Sequence, residues 1–207
     1  MTATAERRGD TTAPAGFLAR VTAWVLALGG GVGLLAAGTL TVEKINLLAD
    51  ADYVPTCSIN PILSCGSVMT TPQAAAFGIP NPLLGIAGFA VVTTLGVLLL
   101  GGVRLPRWAW LGLQAGATFG VVFVHWLIYQ SLYVISALCP YCMVVWVVTI
   151  AIFLYTTLRN LRELPSSSPL SRLAGLAGYH SVILVAWYVV ILLAILVRFW
   201  DYWSTLG

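Results

Sequence analysis

The sequence predicts an all-α integral membrane protein with five transmembrane helices. Three observations carry that prediction. Of the 207 residues, 59% are hydrophobic and only 8% are charged, where a soluble domain carries about 25% charged residues. The charges fall between uncharged runs long enough to cross a hydrocarbon core of about 30 Å. The basic residues also cluster on alternate loops. The net charge of +3 is dispersed over several of those loops, which excludes a nucleic-acid-binding surface.

Residues 1–18 read as a cytoplasmic N-terminal tail. Arg7, Arg8 and Arg20 precede an uncharged run from Val21 to Val42, which forms the first span. It is too long for a cleavable signal, whose apolar core runs to about 7–15 residues. Gly29, Gly30 and Gly31 inside it predict close packing between helices. Beyond Lys44 and Asp52 no charge appears until Arg104. The first part of that stretch holds Pro55, Pro61, Pro72, Pro80 and Pro82, so it cannot be one regular helix. A short interfacial helix is expected around 69–77, and Leu83–Val103 forms the second span.

From Trp108 to Leu158 there is no formal charge, only His125. Helix of that length would measure about 75 Å, so two spans are folded into it. The hairpin falls near Tyr129–Cys139, where Gln130, Ser131, Ser136 and Pro140 collect. A cytoplasmic linker, 159–172, includes the Pro/Ser-rich segment Pro165–Pro169. The remaining residues, 173–207, comprise a fifth span, Leu173–Val197, and a short outer tail. In that tail Phe199, Trp200, Tyr202 and Trp203 read as an interfacial aromatic belt.

Orientation follows from the basic residues. Arg7, Arg8, Arg20, Arg104, Arg107, Arg159, Arg162 and Arg172 share one side, against Lys44 and Arg198 on the other. The N-terminus is therefore expected in the cytoplasm. All four cysteines are then extracytoplasmic or at that membrane boundary, where disulfides form and persist. Among the polar residues within spans, His125 is weighed as a proton relay against a neutral interhelical hydrogen bond. Gln114 reads as helix–helix glue, Thr93 and Thr94 as bonded back to their own helix, and His180 as non-catalytic.

The cysteines form two unlike pairs. Cys57 and Cys65 flank seven residues in a polar loop, whereas Cys139-Pro140-Tyr141-Cys142 opens a later helix. Pro140 suits the first helical position, which sets Cys139 at or near the N-cap and Cys142 in the first turn. The positive end of the helix favours a thiolate there. A wide loop pair beside a tight helix pair suits a relay of electrons between disulfides, by thiolate attack through mixed disulfides. A thiolate at the bilayer rim can meet a lipophilic acceptor, of which a quinone is the obvious one. Other readings are a four-thiolate zinc site, a static loop disulfide and inert packing. Metal sites usually combine two tight pairs, and inert cysteines would scatter among the spans.

The segment Cys57…Cys65-Gly66-Ser67-Val68-Met69-Thr70-Thr71, then Phe77-Gly78-Ile79-Pro80, then the late Cys139-x-x-Cys142 resembles the vitamin K epoxide reductase family. The likeness is to its bacterial members, here without a fused thioredoxin domain, and covers about 19–158. It implies a four-helix transmembrane catalytic bundle over those residues, with the fifth transmembrane helix added.

The resemblance implies that Cys57 exchanges disulfides with a thioredoxin-fold partner. Cys65 would pass the disulfide inward through Cys139, and Cys142 would deliver electrons to a membrane quinone. It places Thr71, Phe77, Asn81 and Trp146 at the quinone. Trp146 stands where animal members carry a Tyr. With no metal called for, the expected reaction is that of a quinone-dependent thiol oxidase in the plasma membrane. It would reoxidise a separate, secreted DsbA-like protein and so drive disulfide formation. The Ala/Gly/Val/Arg-rich composition points to a GC-rich bacterial genome, and on that reading menaquinone is expected over ubiquinone. The alternatives are a vitamin K quinone or epoxide reductase, which uses the same cysteines, and a non-enzymatic membrane protein with structural or metal-binding cysteines.

Overall fold

The computed structural model describes residues 13–50, 52–164 and 169–205. Five helices in it are long and apolar enough to cross a membrane, and their outer faces carry side chains such as Leu35, Val97, Val122 and Val190. The chain is a multi-pass membrane protein. With no water at that depth, each helix must satisfy its own backbone.

The first span consists of α1 (Ala13–Trp24), a π-helical turn (Val25–Gly29) and α2 (Gly30–Ala49). Helix therefore begins inside the stretch expected as a tail, and Leu18 is buried. At its other end helix continues beyond Val42 through Glu43 and Lys44. The charges do not stop it because both bind the neighbouring loop. Within α2, the Thr39 and Thr41 hydroxyls donate to Leu35 and Ala37 carbonyls at 3.0 and 2.9 Å.

The expected helix at 69–77 is displaced. A short helix, α3 (Cys65–Met69), is capped by Ser64, whose hydroxyl accepts the Ser67 N–H. A single 3-10 turn, Pro72–Ala75, follows. Pro72 lacks the N–H that continuation would need, so the cap is built of two pieces.

The second span is α4 (Asn81–Leu100). The third is α5 (Arg107–Tyr129), prolonged by a π-helical turn, Gln130–Ile135, so the hairpin is confined to the residues between Ile135 and Pro140. The fourth span is α6 (Pro140–Arg162), which takes in the start of the expected linker. Of the Pro/Ser-rich segment, 165–168 lie outside the described residues. A 3-10 stretch, Pro169–Tyr179, leads into α7 (His180–Arg198) and a short α8 (Trp200–Trp203).

Helix α2 packs on α4 and α6, and α5 packs on α6. At the α2–α4 seam, a Cβ on Gly30 would come within 3.0 Å of the Thr93 Cα, and one on Gly96 within 2.7 Å of the Ala27 Cα. Gly31, by contrast, faces open space. Thr93 and Thr94 bond back to Phe89 and Ala90 carbonyls. Gln114 joins α5 to α6, donating to Thr157 Oγ1 at 3.0 Å and accepting from Asn160 Nδ2 at 3.1 Å. The fifth helix docks on the bundle. Trp187 Nε1 donates to His125 Nε2 at 3.0 Å, while His125 Nδ1 lies 2.7 Å from the Val121 carbonyl. Both ring nitrogens thus have partners, one on the fifth helix and one on the carbonyl of its own helix. Phe199 is buried with Ile195 in a core cluster, and so it leaves the expected aromatic belt.

Candidate functional site

All four cysteines gather at one end of the bundle. The long first helix supplies the foundation. The buried Glu43 carboxylate accepts from the Tyr53 hydroxyl at 2.8 Å, from the Thr56 N–H at 3.3 Å and from the Thr56 hydroxyl. Lys44 Nζ donates to the Met69 carbonyl at 2.8 Å. One anchor lies just before Cys57 and the other at the end of α3, which begins with Cys65. From sequence, Lys44 entered only as a charge beyond the first span, with Glu43 beside it. Their position at the end of an apolar run was the available signal.

Two backbone hydrogen bonds then bring the distant pair together. The Ser64 N–H donates to the Leu138 carbonyl at 2.8 Å, and the Leu138 N–H to the Ile62 carbonyl at 2.7 Å, forming a one-residue parallel bridge between Leu63 and Leu138. Cys65 lies two residues beyond one side of this bridge, and Cys139 directly follows the other. Cys57 and Cys65 form a disulfide. The Cys139 sulfur lies 3.1 Å from that of Cys65, and the sulfurs of Cys57, Cys65 and Cys139 all lie within 4.8 Å of one another.

Cys139 is the N-cap of α6, with Pro140 opening the helix. Its sulfur accepts the Cys142 N–H at 3.4 Å. Its thiol is held below the ordinary thiol range, chiefly by the hydrogen bond from the Cys142 side chain. Burial opposes that effect, and backbone N–H groups of Cys142 and Tyr141 reinforce it. Such a thiol is a ready nucleophile and leaving group. Cys57, Cys65 and Cys139 are all buried, and Cys142 is half-buried. The tight pair is thus covered by the cap, not exposed.

Cys142 faces a cavity of about 650 Å³, which is walled mainly by apolar side chains. Helices α4 and α5 face each other across it. Trp108, Phe119 and Val91 both line the cavity and are exposed on the outer surface, so it opens sideways toward lipid. Gly88 and Gly116 line it with empty space where a side chain would stand. The few polar lining residues include Gln73, Asn81, Ser131 and Thr149.

Of the four residues expected around the ring, Asn81 and the buried Trp146 line the cavity. The Asn81 amide is engaged by the cap, accepting from the Ala76 N–H at 3.1 Å and donating to the Gln73 carbonyl at 2.8 Å. Thr71 and Phe77 stand outside the lining. The Thr71 hydroxyl donates to the Val68 carbonyl at 2.8 Å, which closes the end of α3. Phe77 is 57% exposed and packs in tilted ring contacts against Phe119 and Phe123, fastening the cap to α5. Gln73 and Thr149 were not singled out from sequence, and Ser131 only as a polar residue of the hairpin, because a lone polar residue beside a span carries no sign of which cavity it will line.

An apolar cavity of this size suits a planar lipophilic ring with a few oriented polar contacts, and the Cys142 thiol in its wall, paired with Cys139 behind it, suits one that accepts electrons. The sequence model of the vitamin K epoxide reductase family matches residues 24–157, more than half of the chain, and the protein belongs to that family of oxidoreductases acting on thiols and quinones.

Proposed function

We propose that the protein is a quinone-dependent thiol oxidase that reoxidises a separate, DsbA-like thioredoxin-fold protein outside the cytoplasm. One observation carries the reading: a closed Cys57–Cys65 disulfide touches Cys139, whose partner Cys142 faces the apolar cavity. The clustering of basic residues on the opposite loops supports an extracytoplasmic site in the plasma membrane.

The relay balances as follows. A thiolate of the reduced partner attacks Cys57, breaking Cys57–Cys65 and releasing the Cys65 thiolate. The partner's second thiolate resolves that mixed disulfide, leaving the partner oxidised and Cys57 free. Cys65 then attacks Cys139 of an oxidised Cys139–Cys142 pair and releases Cys142. Cys57 attacks Cys65 in turn, re-forming Cys57–Cys65 and releasing Cys139. The product is the arrangement seen here, a loop disulfide beside a Cys139/Cys142 dithiol. A bound quinone, for which menaquinone is favoured by composition, supplies the acceptor for that dithiol's two electrons and two protons. Trp146 and Thr149 shape the wall beside Cys142, and Asn81 holds the cap closed above it.

Because Cys57 is buried, a protein partner must first draw its loop outward. The test is quinone reduction by the purified protein, with a reduced DsbA-like protein or a small lipophilic dithiol as donor. Cys142→Ala is expected to abolish turnover with both. Cys57→Ala is expected to abolish it with the protein alone, since the small dithiol enters by the cavity. Equal loss with both donors in Cys57→Ala overturns the relay order, and no turnover in folded wild type overturns the oxidase reading.

A further inference from the structure

We propose that Arg198, at the end of the fifth helix, is a positioning residue for Cys139, so that the fifth helix is part of the thiol relay and not a tether. The inference rests on the relay described above. The Arg198 Nε donates to the Leu132 carbonyl at 2.8 Å, and its Nη2 donates to the Ser136 hydroxyl oxygen at 2.9 Å. Leu132 lies in the π-helical turn that ends the third span. Ser136 ends it with a φ of 56°, the only positive φ outside glycine among the described residues. An L side chain resists that conformation, so it needs support.

The chain between this brace and the sulfur is short and held at each step. The Ala137 N–H donates to the Ser131 carbonyl at 3.2 Å, and Leu138 is bridged to Leu63, in the loop segment that leads into Cys65. Cys139 follows. The guanidinium thus grips the last turn before the hairpin, where helix carbonyls lack partners and carry partial negative charge. Its planar fork reaches two acceptors at once, which a lysine ammonium on a flexible stem does not reproduce. Ile195 and Phe199, on either side of Arg198, are buried in a cluster with Ile62, Leu132, Leu138 and Trp146. The outer end of α7 therefore touches both sides of the bridge that sets Cys65 against Cys139. A relay between sulfurs depends on that alignment, because a misplacement of about 1 Å can cost about a hundredfold in rate.

The test isolates the alignment from every other step. In a Cys57→Ala, Cys142→Ala background only Cys65 and Cys139 remain, and their disulfide equilibrium with glutathione measures how well the fold holds them together. Arg198→Gln is expected to weaken that equilibrium about tenfold. In a Cys139→Ala, Cys142→Ala background it is expected to leave Cys57–Cys65 within about twofold, with Arg198→Lys intermediate for the Cys65–Cys139 pair. An unchanged Cys65–Cys139 equilibrium, or equal weakening of both pairs, overturns the proposal; the second result marks a general loss of structure. If Arg198→Gln does not fold, Arg198→Lys carries the same comparison. Quinone turnover of the wild type is measured in parallel. Turnover with no selective shift sinks the brace alone, and a selective shift without turnover sinks the oxidase reading alone.

Discussion

The two sides of α4 are built on opposite rules. Toward α2, glycines let backbones touch. Gly30 meets the Thr93 backbone, Gly33 the Phe89 ring, and Gly96 the π-helical turn at Leu26 and Ala27. Toward α5, Gly88 and Gly116 meet nothing and border the cavity instead. The same residue type closes one seam and opens the other. Within a membrane, where lipid is as apolar as the helix, association rests on close van der Waals packing. A seam deprived of that packing becomes space for a lipophilic molecule. The α5 side is held by α6 in compensation, through Gln114, Thr157 and Asn160.

This contrast can be broken at the tight seam first. Gly96→Val drives a side chain into the Leu26 and Ala27 backbone, and overpacking of this kind costs about 1–3 kcal/mol or more. We expect the largest loss of thermal stability here, read as Tm in detergent; a Tm equal to wild type would show that the helices separate freely. Gly30→Val should be next, because Thr93 has a side chain as well as a backbone to move. At the open seam the expectation reverses. Gly116→Leu should leave Tm within the range of ordinary surface changes, about 0.5 kcal/mol, yet raise the quinone KM several-fold by filling the cavity. Unchanged quinone kinetics would remove the cavity between α4 and α5 from the reaction. The smallest effect belongs to Gly31→Ala. This glycine neighbours Gly30 but faces open space, so the exchange should stabilise slightly, within about 1 kcal/mol. A marked loss of Tm at Gly31 would mean that the first span is rotated from the position described.

Glu43 offers a sharper probe of the opposite end of α2. Glu43→Gln weakens the hold on Tyr53 and Thr56. Turnover with a protein donor should fall several-fold, while a small lipophilic dithiol reaching Cys142 should be little affected. A uniform fall with both donors would assign Glu43 to overall stability.

Much of this was legible in the sequence for identifiable reasons. Charge-free lengths delimit the spans because a bilayer has a fixed thickness. The number of spans between Cys65 and Cys139 decides that they emerge at one end, since each span reverses the chain. Pro140 after Cys139 marks the N-cap, because proline costs nothing at the first helical position. The helix ends were less legible. Helix runs through Glu43 because a carboxylate with three donors can be buried, and it stops at Met69 because Pro72 follows.

What the sequence by itself determined is therefore which segments are long and apolar enough to cross a membrane and the chemistry gathered at one end. What only the tertiary structure decided is which faces meet. Cys65 and Cys139, 74 residues apart, are brought into contact by a bridge at Leu63 and Leu138 that has no local signature. The burial of Cys57, the cavity between α4 and α5, and the grip of Arg198 on Leu132 and Ser136 belong to the same class. A helix apolar on every side reports that it is in the bilayer and withholds which side packs. That choice is made by shape, glycine against backbone and side chain into space, once all five helices are assembled.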